Sequence, residues 1–138
     1  MAAYLDSCIV IYLIEMQEPW HSRVRARLLP DAGPMPDICY SDLTRMECRV
    51  APLARADTEA LAEYDDFFAT PGFRRVALGT AEFDLATTLR ARHRIGVADA
   101  LHLAAAIGAG CDEFWTNDLD LEKAAGGRVR IVTMDAKP

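Results

Sequence analysis

An α/β fold, with a parallel sheet covered on both faces by helices, is what this sequence predicts. Short apolar runs alternate along the chain with stretches of helical periodicity, which is the pattern of βαβ units. Turn formers punctuate nearly every junction, and 138 residues suffice for one domain and leave no room for two, so a single domain over 1–138 is expected.

The elements follow in order. Ala3-Tyr4-Leu5 opens a first strand that stops at Asp6, and Ser7 leads into the apolar helix Cys8–Glu15. Pro19 ends that helix, and Ser22–Leu29 reads as a second, arginine-rich one. Pro30 to Pro36 is a loop, with Asp, Gly and a further proline between. Ile38-Cys39-Tyr40 is the second strand, after which Ser41 or Asp42 caps a helix running through Val50. Asp57–Ala69 is amphipathic, with Leu61, Tyr64, Phe67 and Phe68 on one side. Phe73–Leu78 is a third strand, and Thr80 caps a helix from Ala81 to Arg92. Ile95-Gly96 turns the chain into the very apolar helix Val97–Ala109, closed by Gly110. Glu113–Thr116, Asn117–Ala125 and Val129–Val132 complete the pattern as strand, short helix and strand.

Composition narrows the function. Apolar residues make up 51% and charged residues 26%, a globular balance. No apolar run approaches the roughly 20 residues of a membrane span, and the N-terminus lacks the features of a signal peptide, so a cytoplasmic protein without membrane contact is expected. The net charge of −6 repels polyanions overall, so a nucleic-acid partner requires a local basic surface and bound cations. The basic residues are nearly all arginine, the side chain best suited to phosphate. Cys8, Cys39, Cys48 and Cys111 show no C-x-x-C spacing and read as buried free thiols.

In open parallel sheets chemistry gathers beyond the carboxyl ends of the strands, which directs attention to Asp6-Ser7, Ser41-Asp42, Thr80 and Thr116-Asn117-Asp118. Asp6 interrupts an apolar run at a strand end, where it also suits a helix N-cap. Glu47 falls on the helical stripe of Leu43, Met46 and Val50, a costly place for a carboxylate without a cation or an arginine such as Arg45 or Arg49. Asp99 lies in the first turn of a helix, favourable to its dipole, with His102 one turn on as a partner or a satisfied helix histidine. Asp118, just past a strand, could cap the next helix.

Together these acids have a sharper meaning. Carboxylates gathered within about 4–6 Å repel by several kcal/mol per pair at an effective dielectric near 20. Shifted pKa values or bound cations make such a cluster tolerable. Hard oxygen donors suit Mg²⁺ or Mn²⁺ better than zinc. Such an ion supports phosphoryl transfer, whereas no Ser elbow or Cys–His signature for acyl transfer is present. A phosphatase with Asp two residues after Asp6 is disfavoured by Cys8, and no G-x-G-x-x-G dinucleotide fingerprint occurs.

Four segments in this order resemble the PIN-domain ribonucleases, and among them the VapC-type toxins of type II toxin–antitoxin pairs. They are Tyr4-Leu5-Asp6-Ser7-Cys8-Ile9, Ser41-Asp42-Leu43-Thr44-Arg45-Met46-Glu47, the run from Val97 through Asp99 and His102 to Ala106, and Thr116-Asn117-Asp118-Leu119-Asp120. The resemblance spans essentially the whole chain. It implies a three-layer α/β/α sandwich, PIN-like, around a mostly parallel five-stranded sheet. It implies an acidic quartet of Asp6, Glu47, Asp99 and Asp118, with Asp6 and Asp99 as direct ligands of Mg²⁺ or Mn²⁺, and Thr116 and Ser7 in support. The fourth motif ends in Leu121 where an aromatic is frequent, so Asp120 competes with Asp118 for the last place; Asp118 has the expected offset from Thr116. The implied activity is metal-dependent hydrolysis of RNA phosphodiesters by a homodimer that a cognate antitoxin inhibits. Trp20 is a candidate for lining the antitoxin groove, and Arg45, Arg49, Arg92 and Arg94 for contacting phosphate. The competing reading is a catalytically silent PIN-like module that only binds a protein or RNA.

Overall fold

A computed structural model describes residues 1–135; the last three residues of the expected domain lie outside the described ones. Five strands form one sheet: β1 (Ala2–Leu5), β2 (Asp37–Ser41), β3 (Arg74–Val76), β4 (Glu113–Thr116) and β5 (Arg130–Thr133). Their order is β3-β2-β1-β4-β5, and every neighbouring pair is parallel. Seven helices connect or precede them: α1 (Ser7–Ile14), α2 (Trp20–Leu28), α3 (Asp42–Ala54), α4 (Thr58–Phe68), α5 (Thr80–His93), α6 (Val97–Gly108) and α7 (Leu121–Ala125). The α/β/α architecture expected from the sequence is what the chain adopts, with the sheet parallel throughout.

Strand periodicity explains the layers. Because side chains alternate across a strand, Ala3, Leu5, Ile38, Tyr40, Trp115 and Val132 face one core, shared with Ile9, Val10, Val24, Cys48, Tyr64 and Phe68 from α1–α4. Tyr4, Cys39, Phe114 and Ile131 face the other, against α5, α6 and α7. Helix α6 is buried almost along its length, from Ala100 to Ala106, and its small residues let it lie close on the sheet. The buried carboxylate Glu113 is satisfied by the Trp115 indole at 3.0 Å and by Arg130. No described helix is long and apolar enough to cross a membrane.

The first strand sits in the middle of the sheet. From β1 the chain moves outward to β2 and β3, then crosses back through α5 and α6 to place β4 on the other side of β1. The strand order therefore reverses at β1, and a crevice opens at the carboxyl ends of β1, β2 and β4. Asp6, Ser41 and Thr116 stand at that edge.

Several boundaries differ from the sequence reading, each for a local reason. Helix α3 runs through Pro52 to Ala54; the proline marks an expected end near Val50 yet is buried within the helix. Helix α5 is capped by Gly79, not Thr80, because the Glu82 carboxylate reaches back to the Gly79 N–H at 2.9 Å. Helix α7 begins only at Leu121, since Asp118 Oδ1 accepts the Asp120 N–H at 2.9 Å and holds a turn there. Helix α2 begins earlier, at Trp20, and β3 is a short edge strand of three residues. The four cysteines are free, but Cys8 is half-buried whereas the other three are buried.

The α3 stripe is corrected outright. Met46 and Val50 are 56% and 58% exposed, and the buried positions are Thr44, Cys48 and Pro52. Thr44 and Cys48 are small enough for α3 to approach β1 and α1 closely: the Thr44 hydroxyl donates to the Leu5 carbonyl at 3.3 Å and the Cys48 thiol to that of Ser7 at 3.7 Å. The helix is turned so that Glu47 looks toward α6.

Candidate metal centre

Asp6 is set by both ends of its carboxylate. Its backbone N–H donates to the Trp115 carbonyl at 2.9 Å, extending the β1–β4 pairing by one residue. Oδ1 accepts the Ser7 N–H at 2.7 Å, so Asp6 is the N-cap of α1, and Oδ2 accepts the Thr116 hydroxyl at 2.8 Å. The cap and the cluster are thus one arrangement. Thr116 Oγ1 also accepts the Asp118 N–H at 3.3 Å, which ties the β4 end to the turn carrying Asp118.

Across from Asp6, α3 and α6 bring Glu47 and His102 together. His102 Nε2 lies 2.5 Å from Glu47 Oε1 and 3.7 Å from Asp6 Oδ1. Its other nitrogen, Nδ1, is 2.7 Å from the Tyr4 hydroxyl, which lies 2.7 Å from Ser41 Oγ and 3.3 Å from Thr44 Oγ1. Tyr4 and His102 are 0% and 1% exposed, so this chain of polar groups is sealed behind the carboxylates. Asp6, Glu47 and His102 can each offer a ligand atom such that all three lie within 4.8 Å of one another.

Asp99 enters from the first turn of α6, half-buried. Burial raises its carboxyl pKa above the ordinary value, the negative charges of Asp6 and Asp118 add to the rise, and His102 opposes it. Burial and then the Asp6 charge likewise push the Cys8 thiol up to about 12, so it remains a thiol beside the site. Asp120 is exposed and offers its N–H to Asp118 rather than a carboxylate to the cluster.

Asp6, Glu47, Asp99 and Asp118 therefore lie at this edge and Asp120 does not join them, but the tight three-membered group contains His102 where sequence reasoning placed Asp99. The signal was a lone imidazole inside an otherwise apolar helix, one turn after an acid. The donors fit a divalent cation: carboxylate oxygens with lone pairs to spare, one imidazole nitrogen, and like charges that need a counter-charge.

Arg45 and Arg49 are engaged elsewhere, at 3.4 and 2.9 Å from Asp65 Oδ1. Trp20 stacks on Tyr12 with ring centroids 5.0 Å apart and donates to Asp135 Oδ1 at 3.0 Å. Arg92, His93, Arg94 and Lys123 line a depression beside Asp120.

Residues 3–127 match the family model of the PIN domain, which covers most of the chain. The chain belongs to the PIN-domain family. No curated protein matches it by sequence. Among solved structures, this PIN domain is similar to VapBC2 from Rickettsia felis, bound to a DNA fragment from its promoter, at 15% identity and a TM-score of 0.74, covering 96% of this chain and 98% of that one. It is similar to VapC20 of Mycobacterium tuberculosis, described as a sarcin–ricin loop cleaving toxin, at 17% identity and a TM-score of 0.73, covering 94% and 99%. A toxin–antitoxin complex from Klebsiella pneumoniae shares 20% identity and a TM-score of 0.66 over 99% and 100%. At these identities the likeness is one of fold, and at that level the expected resemblance to VapC-type toxins holds.

Proposed function

We propose that this PIN domain is a Mg²⁺- or Mn²⁺-dependent endoribonuclease and the toxin of a toxin–antitoxin pair, acting in the cytoplasm on an RNA substrate. The observation that carries the reading is the meeting of Asp6, Glu47 and His102, with Asp99 and Asp118 alongside, at the switch point of a PIN-family sheet. A divalent cation held there would supply a bound water of lowered pKa and a counter-charge for a phosphodiester.

The chain's own residues do the rest. Asp6 and Asp99 would anchor the cation, and Asp6 is fixed in place by the Ser7 N–H and the Thr116 hydroxyl. Glu47 and Asp118 would complete the coordination sphere or orient the attacking water in line with the leaving oxygen. Arg92, Arg94 and Lys123, in a depression that His93 and Asp120 also line, supply phosphate contacts on a chain of net negative charge. Exposed Met46, Val50 and Leu53 on α3, and Phe83 and Val97 on α5 and α6, are apolar surface for a second copy or an antitoxin to cover.

Cleavage of total RNA with Mg²⁺, with Mn²⁺ and with EDTA tests the activity. Cleavage that EDTA abolishes and Asp6→Asn removes, with circular dichroism unchanged, is the expected result. A folded protein with no metal-dependent cleavage of any RNA offered would return the chain to the silent-module reading. A short neighbouring reading frame for a DNA-binding protein that co-purifies with the chain and inhibits it is expected for the antitoxin.

A further inference from the structure

We propose that His102 is itself a ligand of the cation, its Nε2 joining oxygens of Asp6 and Glu47, so that the centre is mixed nitrogen–oxygen rather than all-carboxylate. The inference rests on the metal-dependent reading above and specifies which atoms hold the ion.

Three observations carry it. First, Nε2 is aimed into the acids, 2.5 Å from Glu47 Oε1 and 3.7 Å from Asp6 Oδ1. Second, the ring has nowhere else to go. It is 1% exposed, sits edge-on to Tyr4 with centroids 5.6 Å apart, and has Nδ1 occupied by the Tyr4 hydroxyl. Ligating histidines are usually fixed in this way, the far nitrogen donating to a partner that sets the tautomer and leaves the near one free for the metal. With an ion bound, Nδ1–H would donate to Tyr4 Oη and the Tyr4 O–H to Ser41 Oγ, each 2.7 Å away. Without it Nε2 is hydrogen-bonded to Glu47 Oε1, the contact the ion would replace.

Third, the spacing suits an ion after one small movement. Bonds of about 2.1 Å in octahedral geometry place neighbouring donors about 3 Å apart and opposite donors about 4 Å apart. The Asp6–His102 distance of 3.7 Å already lies in that range. The Glu47–His102 distance must open by roughly half an ångström to reach the neighbouring-donor spacing. Glu47 can supply this, because its side chain is 31% exposed while His102 is held.

The consequence is selectivity. Mg²⁺ favours oxygen ligands and keeps its waters, whereas an imidazole donor favours first-row transition ions. This PIN domain therefore prefers Mn²⁺ or Co²⁺ to Mg²⁺ by at least about tenfold, and replacing His102 by an oxygen donor narrows the ratio.

Pulsed electron paramagnetic resonance of the full chain with one equivalent of Mn²⁺ reads the ligand directly. The echo envelope is expected to carry ¹⁴N modulation that changes to the ¹⁵N pattern when the protein is labelled with [¹⁵N]histidine. The signal persists in a His21→Gln/His93→Gln variant, which removes the other two histidines. His102→Gln loses it and binds Mn²⁺ about tenfold more weakly; should that variant fail to fold, the labelled wild-type protein still decides. Mn²⁺ binding that Asp6→Asn abolishes but that shows no nitrogen modulation overturns the ligation and leaves the metal-dependent reading intact. Absence of Mn²⁺ binding, or binding indifferent to Asp6→Asn, overturns both.

Discussion

Removing the Tyr4 hydroxyl with Tyr4→Phe tests how the buried side of the site is built. The ring stays, stacked on Phe114 with centroids 5.5 Å apart, so little apolar burial is lost. What disappears is one oxygen 2.7 Å from His102 Nδ1 and 2.7 Å from Ser41 Oγ. Both partners are buried, at 1% and 0% exposure, and water cannot replace the lost group without opening the core. A buried polar atom left unpaired costs about 1–3 kcal/mol. The Ser41 hydroxyl can rotate in search of another partner, but His102 Nδ1 cannot, which puts the expected loss at about 2–3 kcal/mol. For a domain of this length that is a fall in Tm of roughly 8–12 °C. Tyr40→Phe is the internal control, because its hydroxyl makes a single hydrogen bond, to the Phe68 carbonyl at 2.8 Å, and about 1 kcal/mol is expected there. Urea denaturation at constant m-value measures both. Equal losses for the two variants, or a Tyr4→Phe loss below about 0.5 kcal/mol, would refute the idea of a shared polar chain behind the carboxylates.

Other expectations follow from the same geometry. Thr116→Val keeps the shape but strips the donor from Asp6 Oδ2 and the acceptor from the Asp118 N–H, so Mn²⁺ affinity measured by calorimetry should fall about 10–100-fold with the fold intact. Asp99→Asn should stabilise the metal-free protein. The Asp99 pKa is raised in the folded state, so its stabilising neutral form is fully present below the unfolded pKa and is lost as pH rises through the folded one. The gain in Tm should thus be seen at pH 7 and vanish in acid, and a gain independent of pH would point to a packing cause instead. Val50→Lys, at a position 58% exposed, should leave the monomer's stability within about 0.5 kcal/mol. On the proposed homodimer, analytical ultracentrifugation should find a dimer for the parent and a monomer for the variant at the same concentration.

The sequence carried the strand–helix alternation because the central strands of the sheet are short apolar runs bounded by turn residues, whereas the edge strand β3 is Arg74-Arg75-Val76. It also carried the acids, since a carboxylate at the end of a buried strand breaks the hydrophobic pattern and is easily seen. What it could not carry was rotation and distance. The apolar residues Met46 and Val50 pull a pattern reading of α3 toward the wrong face, because small Thr44 and Cys48 are what allow the helix to pack. Glu47 and His102 are 55 residues apart, and nothing local to either indicates that they meet. The Asp118 turn was misread as helix because a residue whose side chain holds the next backbone amide looks, in sequence, like a cap.

The central place of β1 has a temporal side. The groups that seat Asp6, the Trp115 carbonyl and the Thr116 hydroxyl, emerge about 110 residues after it. During synthesis, then, the acids of the first three motifs are made before the strand that frames Asp6, and have no frame to converge on until β4 follows. A chain cut before β4 lacks both groups that seat Asp6.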